Sequence, residues 1–244
     1  LNSTSACTIS CWGKLTADSG DDITVGSQTA SNNGVWIHWY SVDTNVYFSP
    51  RNGASNSVYI PLALDTNWHH FVGVYDGTNA SIYVDGALGA TTTVAVPASL
   101  SATAGDTFEI GTLDGAWFTS GNISNVAVWN TALSAANVLS IYNNGRPADL
   151  TSLSPIHWWK MGEEAFSIDA AADPNGWTVL DQIGSNDATS GGNPNLVGEA
   201  PQSFANGLSV SMDIDDRIGE SGFSDNNALS YNMDTEARKA DVPS

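Results

Sequence analysis

Apolar and polar residues alternate along the first 144 positions in short runs separated by turn residues, and that period of two predicts β-strands. In "GVWIHWYSV", Val35, Ile37 and Trp39 point one way, and Trp36, His38 and Tyr40 the other. "WHHFVGVYDGTNASIYVDG" sets Trp68, His70, Val72 and Val74 against His69, Phe71, Gly73 and Tyr75. Asp76-Gly77 and Asp85-Gly86 then reverse the chain twice, so the stretch predicts a β-meander. "ACTISCWGKL" is a further strand, with Cys7, Ile9 and Cys11 on one face and Thr8, Ser10 and Trp12 on the other. "TFEIGT" and "NISNVAVWN" add two more, and the odd offset from Ile123 to Val126 predicts a bulge in the second. One period of 3.6 stands out, in "NTALSAANVLSIYNNG". Ser134 is its N-cap, Val138, Leu139 and Tyr142 its apolar stripe, and Gly145 its left-handed C-terminal cap, with Pro147 preventing continuation. Many strands and one short helix predict an all-β jelly-roll sandwich.

The blocks "CTISCWGKL", "NWHHFVGVYDGTNASIYVDG", "FEIGT" and "GNISNVAVWNTALSAANVLSIYNNG" follow one another in an order that resembles the laminin-G-like, concanavalin A-like jelly-roll family over about residues 5–146. The resemblance implies the fold. It does not imply one activity, because this fold hosts lectins, glycosidases, adhesion modules and virion proteins. A jelly-roll domain over 1–146 and a loop-rich C-terminal arm over 147–244 are therefore the expected division.

Beyond Arg146 the periodicity fades. "HWWKMGEE", "LDQIGSNDATS" and "NALSYNMDTEARKADVPS" resemble the segment that follows laminin-G-like modules in structural proteins of marine tailed bacteriophages. Near the end a phrase is written twice, "NGLSVSMDIDDR" from Asn206 and "NALSYNMDTEAR" from Asn227, a repeat of 21 residues covering about 196–222 and 217–243. Leu208, Val210 and Met212, then Leu229, Tyr231 and Met233, alternate with polar residues as short amphipathic strands. Strands this short have too little apolar surface and too many open hydrogen-bonding groups to stand alone. They extend or cover the jelly roll, or they reach across neighbouring subunits as an assembly arm; the apolar alternation argues against a disordered tail.

Composition narrows the partners. The formal net charge is −19, from 26 acidic and 7 basic residues. Such a chain repels phosphate backbones and anionic lipid surfaces, so neither nucleic acid nor membrane insertion is expected. There is no run of about 18 apolar residues. Cys7 and Cys11 lie four residues apart in one strand, roughly 13 Å, which exceeds the reach of a disulfide, so both read as small buried apolar residues.

Candidate chemistry is sparse. Glycosidases of this fold carry an E-x-D-x-x-E strand, and none of Glu109, Glu163, Glu164, Glu199, Glu220 and Glu236 stands in that pattern. Asp213-x-Asp215 recurs as Asp234-x-Glu236, which marks it as part of the repeat. His70 reads as a satisfied core histidine, and no spacing suggests zinc. Asp18, Asp21 and Asp22 form the one acidic loop suited to calcium, with solvated carboxylates as the plainer reading. Nine tryptophans raise the prospect of sugar stacking. Trp12, Trp68 and Trp129 occupy strand positions that the family resemblance implies are structural, whereas Trp36, Tyr40 and Trp117 are the candidates for an exposed glycan-binding face or rim.

The expectation is a non-enzymatic structural protein of a virion surface, in capsid decoration or a fibre, whose partners are other virion proteins or copies of itself, with a cell-surface glycan held by the jelly roll. A secreted carbohydrate-binding or adhesion module is the alternative, and a laminarinase-type glycoside hydrolase the second alternative.

Overall fold

The structure, a computed structural model, describes residues 4–15, 22–28, 33–53, 57–93, 96–100, 107–113, 117–161, 166–168 and 177–189. Among the described residues, ten strands precede the helix: β1 (Cys7–Leu15), β2 (Ile23–Gln28), β3 (Gly34–Tyr40), β4 (Asn45–Arg51), β5 (Val58–Pro61), β6 (His69–Tyr75), β7 (Ala80–Val84), β8 (Ala87–Thr92), β9 (Glu109–Ile110) and β10 (Gly121–Trp129). The helix α1 (Ala135–Tyr142) follows, then β11 (His157–Trp159), β12 (Phe166–Ile168), β13 (Trp177–Val179) and β14 (Ala188–Thr189).

Two antiparallel sheets face each other, a six-stranded one in the order β11-β10-β1-β6-β7-β8 and a five-stranded one in the order β5-β4-β3-β2-β9. The alternation foreseen in the sequence aims Cys7, Ile9, Cys11, Phe71, Tyr75 and Ile82 inward from the first, and Ile23, Val25, Ile37, Trp39, Val46 and Phe48 inward from the second. All of these are fully buried. Burial pushes both thiols up to about 12, so Cys7 and Cys11 are packed side chains rather than reactive ones. The two sheets come close where Gly73 lacks a side chain: a Cβ there would lie 2.1 Å from the Phe48 ring. The hairpin turn Asp85-Gly86 has both residues at positive φ, 52° and 77°, the two-residue geometry that matches strand twist.

The bulge falls where the sequence placed it. Ser10 pairs with Ala127 and Trp12 with Ser124, so two steps along β1 face three along β10, and Asn125 takes up the extra residue at φ 48°. "TFEIGT" does less than expected, supplying only the two-residue strand Glu109–Ile110.

A second apolar layer lies outside the six-stranded sheet. Val72, Val74, Tyr83, Ala127 and Trp129 point outward and are covered by Leu133, Val138, Ile141 and Leu150. Ser134 caps α1 as foreseen, accepting a hydrogen bond from the Asn137 N–H at 3.2 Å. Two helix assignments need correction. Leu139 is exposed and Ile141 takes the buried place, because the stripe that meets the sheet is 138 and 141. The left-handed C-cap is Asn143, with Gly145 two residues later also at positive φ.

The six-stranded sheet continues past Arg146, where the arm was expected to begin. β11 pairs with β10, and Trp158 and Trp159 are buried on its two faces. β12, β13 and β14 form a small three-stranded sheet, tied to β11 by the Trp159–Asp181 bridge and by Val179 in the main core. The repeat, with Leu208, Val210, Met212, Leu229, Tyr231 and Met233, lies outside the described residues.

Candidate functional site: the open face of the five-stranded sheet

The inward residues of β3 leave Trp36, His38 and Tyr40 on the outer face, where Trp36 and His38 are buried and Tyr40 is half-buried. Pairing extends this into rows. Thr24, His38, Tyr47 and Tyr59 stand opposite one another across β2, β3, β4 and β5, and Tyr40 faces Asn45. Tyr47 and Tyr59 have ring centroids 5.3 Å apart.

At one end of this face the loop after β9 folds back on the sheet. Gly111 donates its N–H to the Thr24 carbonyl at 2.8 Å, and Thr119 donates to the Gly111 carbonyl at 2.7 Å. Thr119 Oγ1 in turn accepts from the Thr24 N–H at 3.0 Å. These bonds set Trp117 edge-on to Tyr40, 5.7 Å between centroids, and 5.5 Å from the His38 ring. Trp117 is held at φ 27° while 46% exposed. A bulky residue in that region costs on the order of 1–3 kcal/mol and persists only where the surroundings enforce it. Phe118 beside it is 70% exposed.

Charged groups flank the rings. Asp22 Oδ2 lies 3.4 Å from His38 Nε2, and Oδ1 accepts from the Ser41 N–H at 2.8 Å. Asp43 accepts from the Tyr47 hydroxyl and from the Asn45 N–H. Burial holds His38 below the ordinary imidazole range despite the pull of Asp22 and Asp43, so it is neutral at pH 7. Its Nε2 has no aligned hydrogen-bond partner.

The structure thus joins two of the three glycan candidates, Tyr40 and Trp117, and corrects the third. Trp36 shares the face but is only 6% exposed, under the Arg51 guanidinium 4.8 Å from its ring centroid. Alternation assigned the side and could not show the cover. Of the calcium trio, Asp22 belongs to this site through His38, whereas Asp18 and Asp21 lie outside the described residues. Among the described residues no group of three or more His, Cys, Asp or Glu is disposed to hold a metal ion. Tyr47, Tyr59 and Asp43 were missed; "NVYFSPR" and "VYI" do alternate, with Tyr47 and Tyr59 outward, and that signal was available.

The other histidines are structural in their geometry. His69 is held between Asp85, 2.7 Å from Nδ1, and Asp65, 3.2 Å from Nε2. His157 meets Asp181 at 2.7 Å and stacks on Trp159. His70 bonds Ser10 Oγ through Nε2 at 2.8 Å, but its Nδ1 has no partner, so the expected satisfied histidine is half satisfied. The Ser10–His70 pair is buried and lacks an acid on Nδ1, the third element of a nucleophilic triad. Trp12 and Trp129 are buried as foreseen; Trp68 is half-buried and precedes β6 rather than lying in it.

Comparison with known proteins follows this geometry. A family model described as the concanavalin A-like lectin/glucanases superfamily matches residues 1–139. Among solved structures, a Bacteroides ovatus protein described as carbohydrate binding aligns with a TM-score of 0.59 at 18% identity, covering 78% of this chain and 53% of that one. This chain therefore spans about half the length of that protein. A heptameric SAP-like pentraxin of Limulus polyphemus aligns at 0.45 with 23% identity over 58% of this chain and 71% of its own. The CBM40 of a Ruminococcus gnavus sialidase aligns at 0.45 with 17% identity, over 57% and 84%. At these identities the likenesses bear on fold. No curated protein matches the chain.

Proposed function

Because the chain belongs to the concanavalin A-like lectin/glucanase superfamily, we propose that it is a non-catalytic glycan-binding module whose ligand lies on the outer face of the five-stranded sheet. One observation carries this reading: half-buried Tyr40 and exposed Trp117 form an edge-to-face pair on the outer side of the five-stranded sheet. Flat rings present large apolar area at little entropic cost, and the C–H face of a pyranose is a fitting partner. Asp22, Asp43, Asn45 and Tyr47 stand beside the rings as the few polar groups that orient a ligand. The superfamily's other branch needs an acid and a nucleophile at about 5 Å. The glutamate pattern that supplies them is missing from the sequence. Titration calorimetry against a panel of oligosaccharides tests the reading. Trp117→Ala should abolish the heat of binding with an unchanged fold; binding indifferent to both Trp117→Ala and Tyr40→Ala would move the ligand elsewhere.

A second reading rests on the repeat. Two amphipathic segments 21 residues apart favour a virion structural role in which residues 196–243 engage neighbouring subunits or other virion proteins. Leu208→Asp combined with Leu229→Asp in the full chain should then lower its assembly state in sedimentation and leave glycan binding intact.

A further inference from the structure

We propose that the Tyr40–Trp117 platform takes uncharged sugars and turns away those bearing a carboxylate; this ligand class rests on the glycan-binding reading above. Two carboxylates, both hydrogen-bond acceptors, stand by the histidine that contacts the two rings. Asp22 and Asp43 both lie beside His38, whose ring contacts Tyr40 at 5.0 Å and Trp117 at 5.5 Å. Each carboxylate anchors itself with protein donors, Asp22 through the Ser41 N–H and Asp43 through Tyr47 and the Asn45 N–H. An ionised carboxylate has about four acceptor positions, so both keep capacity for sugar hydroxyls. A sugar carboxylate brings only acceptors and a negative charge.

Among the described residues no cation is in contact with these rings. The two cation–ring contacts among the described residues are Arg51 over Trp36 and Lys160 over Trp158. Arg51 pairs with Gly34, at the opposite end of β3 from Tyr40. That separation is roughly 20 Å along the strand, well beyond a Debye length of about 8 Å at physiological salt. His38 adds no positive charge, since burial keeps it neutral at pH 7. One sugar carboxylate about 4 Å from Asp43 in a water-like medium should weaken binding about fivefold.

The full chain is tested on an array of matched pairs, lactose with 3′-sialyllactose and N-acetyllactosamine with its sialylated form, alongside uncharged gluco- and chito-oligosaccharides and oligoglucuronates. The expected hits are uncharged, with each acidic counterpart about fivefold weaker or more. Asp43→Asn and, separately, Asp22→Asn should narrow that gap, as should 0.5 M salt; a steric clash would respond to neither charge removal nor salt. Acidic glycans bound as tightly as their neutral counterparts, or a gap unmoved by both variants and by salt, would overturn the proposal and leave glycan binding standing. No binding of any glycan would overturn both.

Discussion

The two sheets of this sandwich have outer faces built from the same alternation and put to opposite uses. Outside the six-stranded sheet, Val72, Val74, Tyr83 and Trp129 are apolar and sealed beneath α1 and Leu150. Outside the five-stranded sheet, Tyr40, Tyr47 and Tyr59 mix hydroxyls and rings and stay partly or largely exposed, while Thr24 and His38 are buried beside the loop that carries Trp117 and Thr119. A strand that is apolar on both sides must be roofed, and the α-helix α1 lies there. A strand apolar on one side only leaves a face free for a ligand.

The largest test of this contrast is Trp129→Ala. Trp129 is 1% exposed and donates its Nε1–H to the Leu153 carbonyl at 3.0 Å. Removing it should cost about 3–5 kcal/mol in chemical denaturation, without altering the open face. Trp117→Ala is its mirror image, with binding at least tenfold weaker in calorimetry and stability within about 0.5 kcal/mol of the parent. A melting temperature lowered as much as by Trp129→Ala would mean that Trp117 is a roof residue after all. Ser134→Ala should cost about 1 kcal/mol, because it frees the Asn137 N–H and loosens the roof alone.

The smallest effect concerns pH. Burial opposes charging His69, yet Asp85 and Asp65 outweigh it and raise the ring above its ordinary 6.5. Its contribution is therefore complete below pH 6.5 and is lost as pH rises through the raised value. His70 behaves oppositely. Burial drives it down to about 3, so its contribution is complete above 6.5 and fades as pH falls toward 3. His69→Gln should flatten the decline in stability as pH rises above 6.5 and leave the acid limb in place, as read by urea midpoints at each pH.

Alternation made β1, β3, β6 and β7 legible, and an odd offset revealed the Asn125 bulge. It could not say which outward face would be covered, because cover comes from residues distant in sequence. Trp36 was misjudged for that reason: Arg51 reaches it only through the β3–β4 register. β4 was obscured by Pro50, which is tolerated because β5 pairs with β4 only as far as Phe48. Trp117 sits in a loop without period, and its place beside Tyr40 depends on bonds to Thr24 made across more than ninety residues. Beyond Arg146, β11 was not legible because its three residues are too few for a pattern, and its place beside β10 is set by pairing distant in sequence.

The missing methyl at Gly73 reaches further than the core. Phe48 rests directly on the backbone there, and its neighbours Tyr47 and Ser49 look out on the other side of the same strand. An alanine at 73 would act as a wedge, pushing β4 away from the opposite layer and tilting Tyr47 out of line with Asp43 and Tyr59. Sugar recognition could thus be detuned from behind, by an atom that no sugar ever touches.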